Sequence, residues 1–204
     1  MTHIKTSTKT FALIISLFFV GCGEQSATSN DSKTEVVKSA TTTKNSTDVL
    51  SISQEEILTA INEARSVARD CNDGLGLVEA VQPLTWNSEL YAAAYEHSSD
   101  MAKSNTFSHV GSGTASDITG SNNQKSSKFN ERIKANGYVN YRSVGENIAG
   151  GQESVKEVMA AWLGSPAHCT NIMNNTFKEV GVAVISNPNS DFGIYWTQNF
   201  GSKK

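Results

Sequence analysis

At Phe177 the hydrophobic period of the chain changes. Upstream, apolar residues recur every three or four positions. Downstream they alternate: Val180, Val182 and Val184 against Gly181 and Ala183, and, after Asn187-Pro-Asn-Ser-Asp191, the run Phe192, Ile194, Trp196, Gln198, Phe200. Period two marks a half-buried strand, and two such runs across a turn-rich break define a β-hairpin. Helices first and antiparallel strands last restrict the fold to the α+β class, with helices covering a sheet.

The upstream segments carry helix signals. Ser53 and Glu56 form a capping box ahead of Ile57, Ile61, Ala64 and Ala68, which predicts a helix over about 54–69. Leu84-Thr-Trp86 reads as a short extended piece ended by Asn87, a good N-cap. Leu90, Ala93, Ala94, His97 and Met101 then form the apolar face of a second helix. Residues 111–127 hold almost nothing that packs and are expected to form a long surface loop. A brief helix over about 128–136 ends at Asn136-Gly137. A second capping box, Ser154 to Glu157, opens a helix with Val155, Val158, Met159 and Trp162 inward, stopped by Gly164-Ser-Pro166.

The first 22 residues stand outside this pattern. Lys5 and Lys9 precede an apolar and small run from Phe11 to Gly21, the composition of a signal peptide. The run is shorter than the ~20 residues a permanent membrane helix needs. Phe19-Val-Gly-Cys22 resembles the bacterial lipobox, so Cys22 is the expected lipidation site, and its acyl chains are the expected link to a membrane. Residues 23–50, rich in Ser and Thr, are expected to form a solvated tether. The folding unit is then 51–201, enough for one domain with its own core.

Loss of the leader takes two of the 17 basic residues and none of the 20 acidic ones, moving the net charge from −3 to −5. Such a balance speaks against a nucleic-acid partner. Of three cysteines, lipidation of Cys22 leaves Cys71 and Cys169 as an even pair in an oxidising compartment, and a disulfide between them is the default.

Several strings occur in order across the domain: Asn62-Glu-Ala-Arg65, Leu84-Thr-Trp86-Asn87, Phe107-Ser-His109, Gly145-Glu146-Asn147-Ile148-Ala149, Ser165-Pro-Ala-His168 after Trp162, and Val180-Gly181-Val182. Together they resemble the bacterial SCP-like branch of the CAP superfamily, which includes cysteine-rich secretory proteins and plant pathogenesis-related proteins. The resemblance implies a three-layer α-β-α sandwich with a small antiparallel sheet and a surface cleft lined by two histidines and two glutamates. His109, Glu146 and His168 match three of the four. The second glutamate is absent, because Ser165 stands three residues after Trp162.

Two chemistries are open to that set. His109, His168 and Glu146 are the ligand types of a divalent cation site, zinc or magnesium. Alternatively a histidine beside Glu146 acts as general base, with Ser108 or Ser165 as nucleophile. Each residue also has a plain structural role open to it. Glu146 can fix a turn over 145–151, His97 suits a core histidine, and Asn147 and Asn171 either orient imidazoles or cap turns. Cys169 beside His168 is better read as a disulfide partner than as a nucleophile, since adjacent helical residues point apart.

The leading expectation is an extracytoplasmic lipoprotein at the periplasm or cell surface. It would bind a small or lipidic ligand, or an envelope component, through the cleft, a use the resemblance implies. A hydrolase or metal-dependent enzyme and a structural spacer are the alternatives.

Overall fold

The computed structural model describes residues 52–204. The leader, Cys22 and the tether lie outside the described residues. Ser53 caps α1 (Gln54–Arg65), its hydroxyl accepting from the Glu56 amide, so half of the expected capping box is present. This helix ends four residues earlier than its periodicity suggests. Arg65 is fully buried, and its guanidinium donates to the carbonyls of Gln82, Ile172 and Asn174, pulling the chain away from the helix axis. A two-residue ladder follows, β1 (Arg69–Asp70) with β2 (Leu77–Val78).

The main sheet has four strands: β3 (Thr85–Trp86), β4 (Tyr141–Gly150), β5 (Glu179–Ser186) and β6 (Ile194–Lys203), in the order β3-β5-β6-β4. The expected hairpin is β5–β6, antiparallel, with Val182 opposite Gln198 and Val180 opposite Phe200. The sheet is not wholly antiparallel, because the short β3 runs parallel to β5. Asn87, right after β3, caps α2 (Ser88–Ser104) by accepting from the Glu89 and Leu90 amides.

Helices cover both faces of the sheet, giving the three-layer α-β-α sandwich. On one face lie α1, α5 (Val155–Leu163) and α6 (Pro166–Met173), whose Ile57, Ile61, Val158, Trp162 and Ile172 pack on Val180, Val182, Trp196 and Phe200. On the other lie α2 and α4 (Phe129–Ala135), with Leu90, Ala93, Ile133 and Tyr138 in one buried cluster. Gly181 lets α2 approach β5 closely: a Cβ there would stand 2.1 Å from the Tyr91 amide nitrogen.

Three sequence expectations change. Residues 145–150 are a strand, not a turn, so Glu146 sits in the sheet. Gly164-Ser-Pro166 ends α5 but also starts α6, with Pro166 in the first turn, where its missing N–H costs nothing. Finally, residues 111–127 are not a loose surface loop. They contain α3 (Ile118–Asn122), and buried carboxylates replace apolar packing. Asp117 accepts from the amides of Gly113, Gly120 and Ser127. Asp100 accepts from Ser112 and Ser116, and Glu96 from the Thr119 amide. Charge-assisted hydrogen bonds to backbone amides are among the stronger ones, so a segment poor in hydrocarbon can still be fixed.

Candidate functional site

Strand β4 is an edge strand, and its outward carbonyls are covered. Trp162 Nε1 donates to Ile148 O at 3.2 Å and Asn171 Nδ2 to Glu146 O at 3.3 Å. Such cover removes a template for unwanted strand pairing. Because side chains alternate along a strand, Glu146 projects toward the α2–α4 side, and Asn147 toward α6.

Glu146 is the centre of the site. Its carboxylate is almost completely buried, and both oxygens are engaged. Oε1 accepts from His109 Nδ1 at 2.9 Å, and Oε2 from Arg132 Nη2, on α4, at 2.9 Å. Burial alone would push the carboxyl upward. The His109 hydrogen bond, the Arg132 charge and the proximity of His97 together hold it below its ordinary value. Arg132 is itself fully buried, donating also to His109 O and to Ser127 O and Oγ.

His97, on the inner face of α2, is the core histidine its position suggests, with no exposure. Its Nε2 donates to Ser108 O at 2.8 Å, fixing the peptide just before His109, and lies 3.9 Å from Glu146 Oε1. Nδ1 has no hydrogen-bond partner. Burial, offset in part by Glu146, lowers its pKa to about 4, so the ring is neutral at pH 7. His109 is thus held from two directions, main chain by His97 and Arg132, ring by Glu146. Half of its side chain remains exposed.

His168 reaches the same region from α6. It is half-buried, and its pKa is lowered first by burial and then by the nearby charge of His109. Asn147 and Asn171 connect the two sides. Asn147 Nδ2 donates to His168 O and to Gln198 Oε1, and Asn171 Nδ2 donates to Asn147 Oδ1. Both asparagines therefore position backbone rather than imidazole rings. Behind His168, Cys169 is buried in a disulfide with Cys71, pinning α6 to the β1–β2 segment.

The serines do not complete a nucleophile. Ser108 Oγ accepts from the Val110 amide. Ser165 precedes α6 and its hydroxyl makes no hydrogen bond among the described residues. A cation does not fit the three-residue set either. Arg132 is permanently charged and already occupies Glu146, and among the described residues no three of His, Cys, Asp and Glu are grouped to hold a metal.

Sequence reading missed Arg132. The only available signal was its place beside Phe129 and Ile133, three and one residues away, on the inward face of a short helix. Polar residues on such a face are solvated only at its margin, and this one is central.

Fold and site together define a three-layer α-β-α protein in which a buried carboxylate on the edge strand β4 holds a half-exposed histidine. The chain belongs to the cysteine-rich secretory protein family, CAP, whose family model matches residues 58–200. It is 31% identical over 125 residues to the uncharacterized protein YkwD of Bacillus subtilis, covering 61% of this chain and 42% of that one. A second relative, the uncharacterized membrane protein YlbC of the same organism, is 27% identical over 131 residues, 64% of this chain and 32% of that one. The chain thus spans less than half the length of these curated relatives. Among solved structures, an extracellular SCP-domain protein of Bacillus anthracis shares the fold with a TM-score of 0.52 at 24% identity, over 74% of this chain and 40% of that one. An outer surface protein of Borrelia burgdorferi does so with a TM-score of 0.52 at 18% identity, over 75% of this chain and 97% of that one.

Proposed function

We propose that this is an exported lipoprotein, anchored through acylated Cys22, whose domain binds a small or lipidic ligand or an envelope component at the cleft between His109 and His168. The observation that carries this reading is the state of His109. Its ring is half-exposed and rigidly aimed by a buried carboxylate, yet among the described residues no hydroxyl or thiol hydrogen-bonds to either imidazole. Such an arrangement offers fixed donors and acceptors to a polar group without a nucleophile to attack it. The extracellular and outer-surface descriptions of the two solved neighbours support placement outside the cytoplasm. Among the described residues no helix is long and apolar enough to cross a membrane.

The test compares the full chain with a His109→Ala, His168→Ala double variant after purification from membranes. Native mass spectrometry is expected to find a ligand on the wild type that is lost from the variant, and intact mass to show acylation at Cys22. Equal ligand content in both proteins, or an empty wild-type cleft that takes up nothing from an envelope extract, would sink the binding reading.

A second reading is acid–base catalysis, favoured by the hydrogen bond between His109 Nδ1 and Glu146. There Nε2 takes a proton from water or substrate while Glu146 stabilises the cation. It predicts turnover of an ester, peptide or glycan substrate that Glu146→Gln abolishes without unfolding the protein.

A further inference from the structure

The outer face of α2 bears a second surface with no part in the cleft. Tyr91, Tyr95, Ser99 and Lys103 recur every fourth residue, so they form one stripe along the helix, about 6 Å apart. The stripe floors a hollow of about 550 Å³ whose walls include Ile118 and Ser116 from the segment fixed by Asp117. Tyr91 also lines an adjoining hollow of about 410 Å³, with Trp86. The two hollows share Tyr91, and three aromatic rings follow each other beside them, Trp86 to Tyr91 at 5.8 Å and Tyr91 to Tyr95 at 6.2 Å between centroids. Tyr91 is 40% exposed and Tyr95 50%. Neither hydroxyl is hydrogen-bonded among the described residues.

We infer that this aromatic surface binds a linear glycan that carries carboxylates. Three features select that chemistry. The exposed rings of Tyr91 and Tyr95, continued by the half-buried Trp86, offer an apolar platform to the C–H faces of successive pyranoses. Both tyrosine rings stay half in water, which suits a ligand with one apolar face and a rim of hydroxyls that stays wet. An acyl chain there would leave much of its surface in water. Lys103 stands at the far end of the stripe, in the lining of the same hollow as Tyr91 and Tyr95, exposed and without an ion pair among the described residues, so its charge is available to an acidic group. Glu96, the acid in the wall, is turned inward and occupied by the Thr119 amide and Asn136 Nδ2. The site stands independently of whatever the His109 cleft binds.

The test titrates the full chain calorimetrically with peptide-free peptidoglycan glycan strands, which bear lactyl carboxylates, and with neutral chitohexaose. The expected result is saturable binding of the strands with a shift in Trp86 fluorescence. Tyr91→Ala with Tyr95→Ala should weaken both ligands by about tenfold or more, and Lys103→Glu should weaken the strands alone. The single Tyr95→Ala, at a half-exposed position, gives the same direction should the double variant fail to fold. His109→Ala with His168→Ala should leave strand binding unchanged, which separates this site from the cleft. No saturable binding of the strands, or binding that survives loss of both tyrosines, would overturn the inference.

Discussion

Arg132 Nη2 lies 2.9 Å from Glu146 Oε2, and both side chains are closed to water. A buried ion pair owes its retention to mutual compensation, because either charge alone is costly in the interior. Arg132→Met should therefore destabilise the domain by about 3–5 kcal/mol, leaving Glu146 half-paired, while the double change with Glu146→Leu should recover a large part of that loss. Urea denaturation of the two variants and the wild type measures it. A double variant less stable than Arg132→Met would mean that the pair is not the main term.

His97 makes the fold sensitive to acid. Its pKa is lowered to about 4 in the folded protein against about 6.5 in an unfolded chain, so between those values the unfolded state binds the extra proton. Stability is full above about pH 6.5 and falls as pH drops toward 4, by up to about 3 kcal/mol from this residue. The groups facing it are Glu146, Arg132 and Asp100. Glu146, also lowered, adds a loss of the same sign as its carboxyl protonates. His97→Gln retains a donor for Ser108 O and should flatten the upper part of the curve. Denaturation midpoints from pH 7 to 4 give the answer, and parallel curves for both proteins would refute the assignment.

Removing the disulfide tests the coupling of α6 to the first part of the domain. Cys71 and Cys169 are 98 residues apart, and closing so long a loop restricts the unfolded chain by about 4.7 kcal/mol on the entropic account. Cys71→Ala with Cys169→Ala should lower stability by about that amount, and reductant should lower the wild-type melting temperature but not the variant's. Equal stability of the unreduced wild type and the double alanine variant would show that the bond contributes nothing.

How far the sequence discloses such a fold depends on whether each residue's reason for its position is local. The β5–β6 hairpin is legible because Val180, Val182 and Trp196 alternate without interruption. The disulfide is legible by counting cysteines. Strand β4 is not, because its central residues, Gly145, Glu146 and Asn147, are poor strand formers whose burial comes from α4 and α6, remote in sequence. The 111–127 segment hides for the same reason: its serines and glycines pack on carboxylates of α2, not on hydrocarbon. Within the site, His109, Glu146 and His168 stand in short strings that carry the family resemblance, so they can be picked out one by one. Arg132, which with His109 holds the Glu146 carboxyl below its ordinary value, is marked only by its place on the inward face of α4.

That remote control yields a last expectation. Asp117 holds the amides of Gly113, Gly120 and Ser127, and Ser127 in turn accepts from Arg132 through its carbonyl and hydroxyl. Arg132 then meets both Glu146 and the carbonyl of His109. A polar chain therefore runs from the middle of the 111–127 segment to the exposed imidazole, with each link buried on at least one side. Asp117→Ala removes the first link and touches nothing in the cleft. Hydrogen exchange should show the amides of Gly113, Gly120 and Ser127 losing protection, while those of β5 and β6 keep theirs. If the chain is what aims His109, the variant should also shift the His109 ring resonances and weaken binding at the cleft by about tenfold, a coupling of about 1.4 kcal/mol. Loss of protection in the segment with unchanged His109 resonances would show that Arg132 is positioned by Glu146 alone, and that the segment and the site are independent.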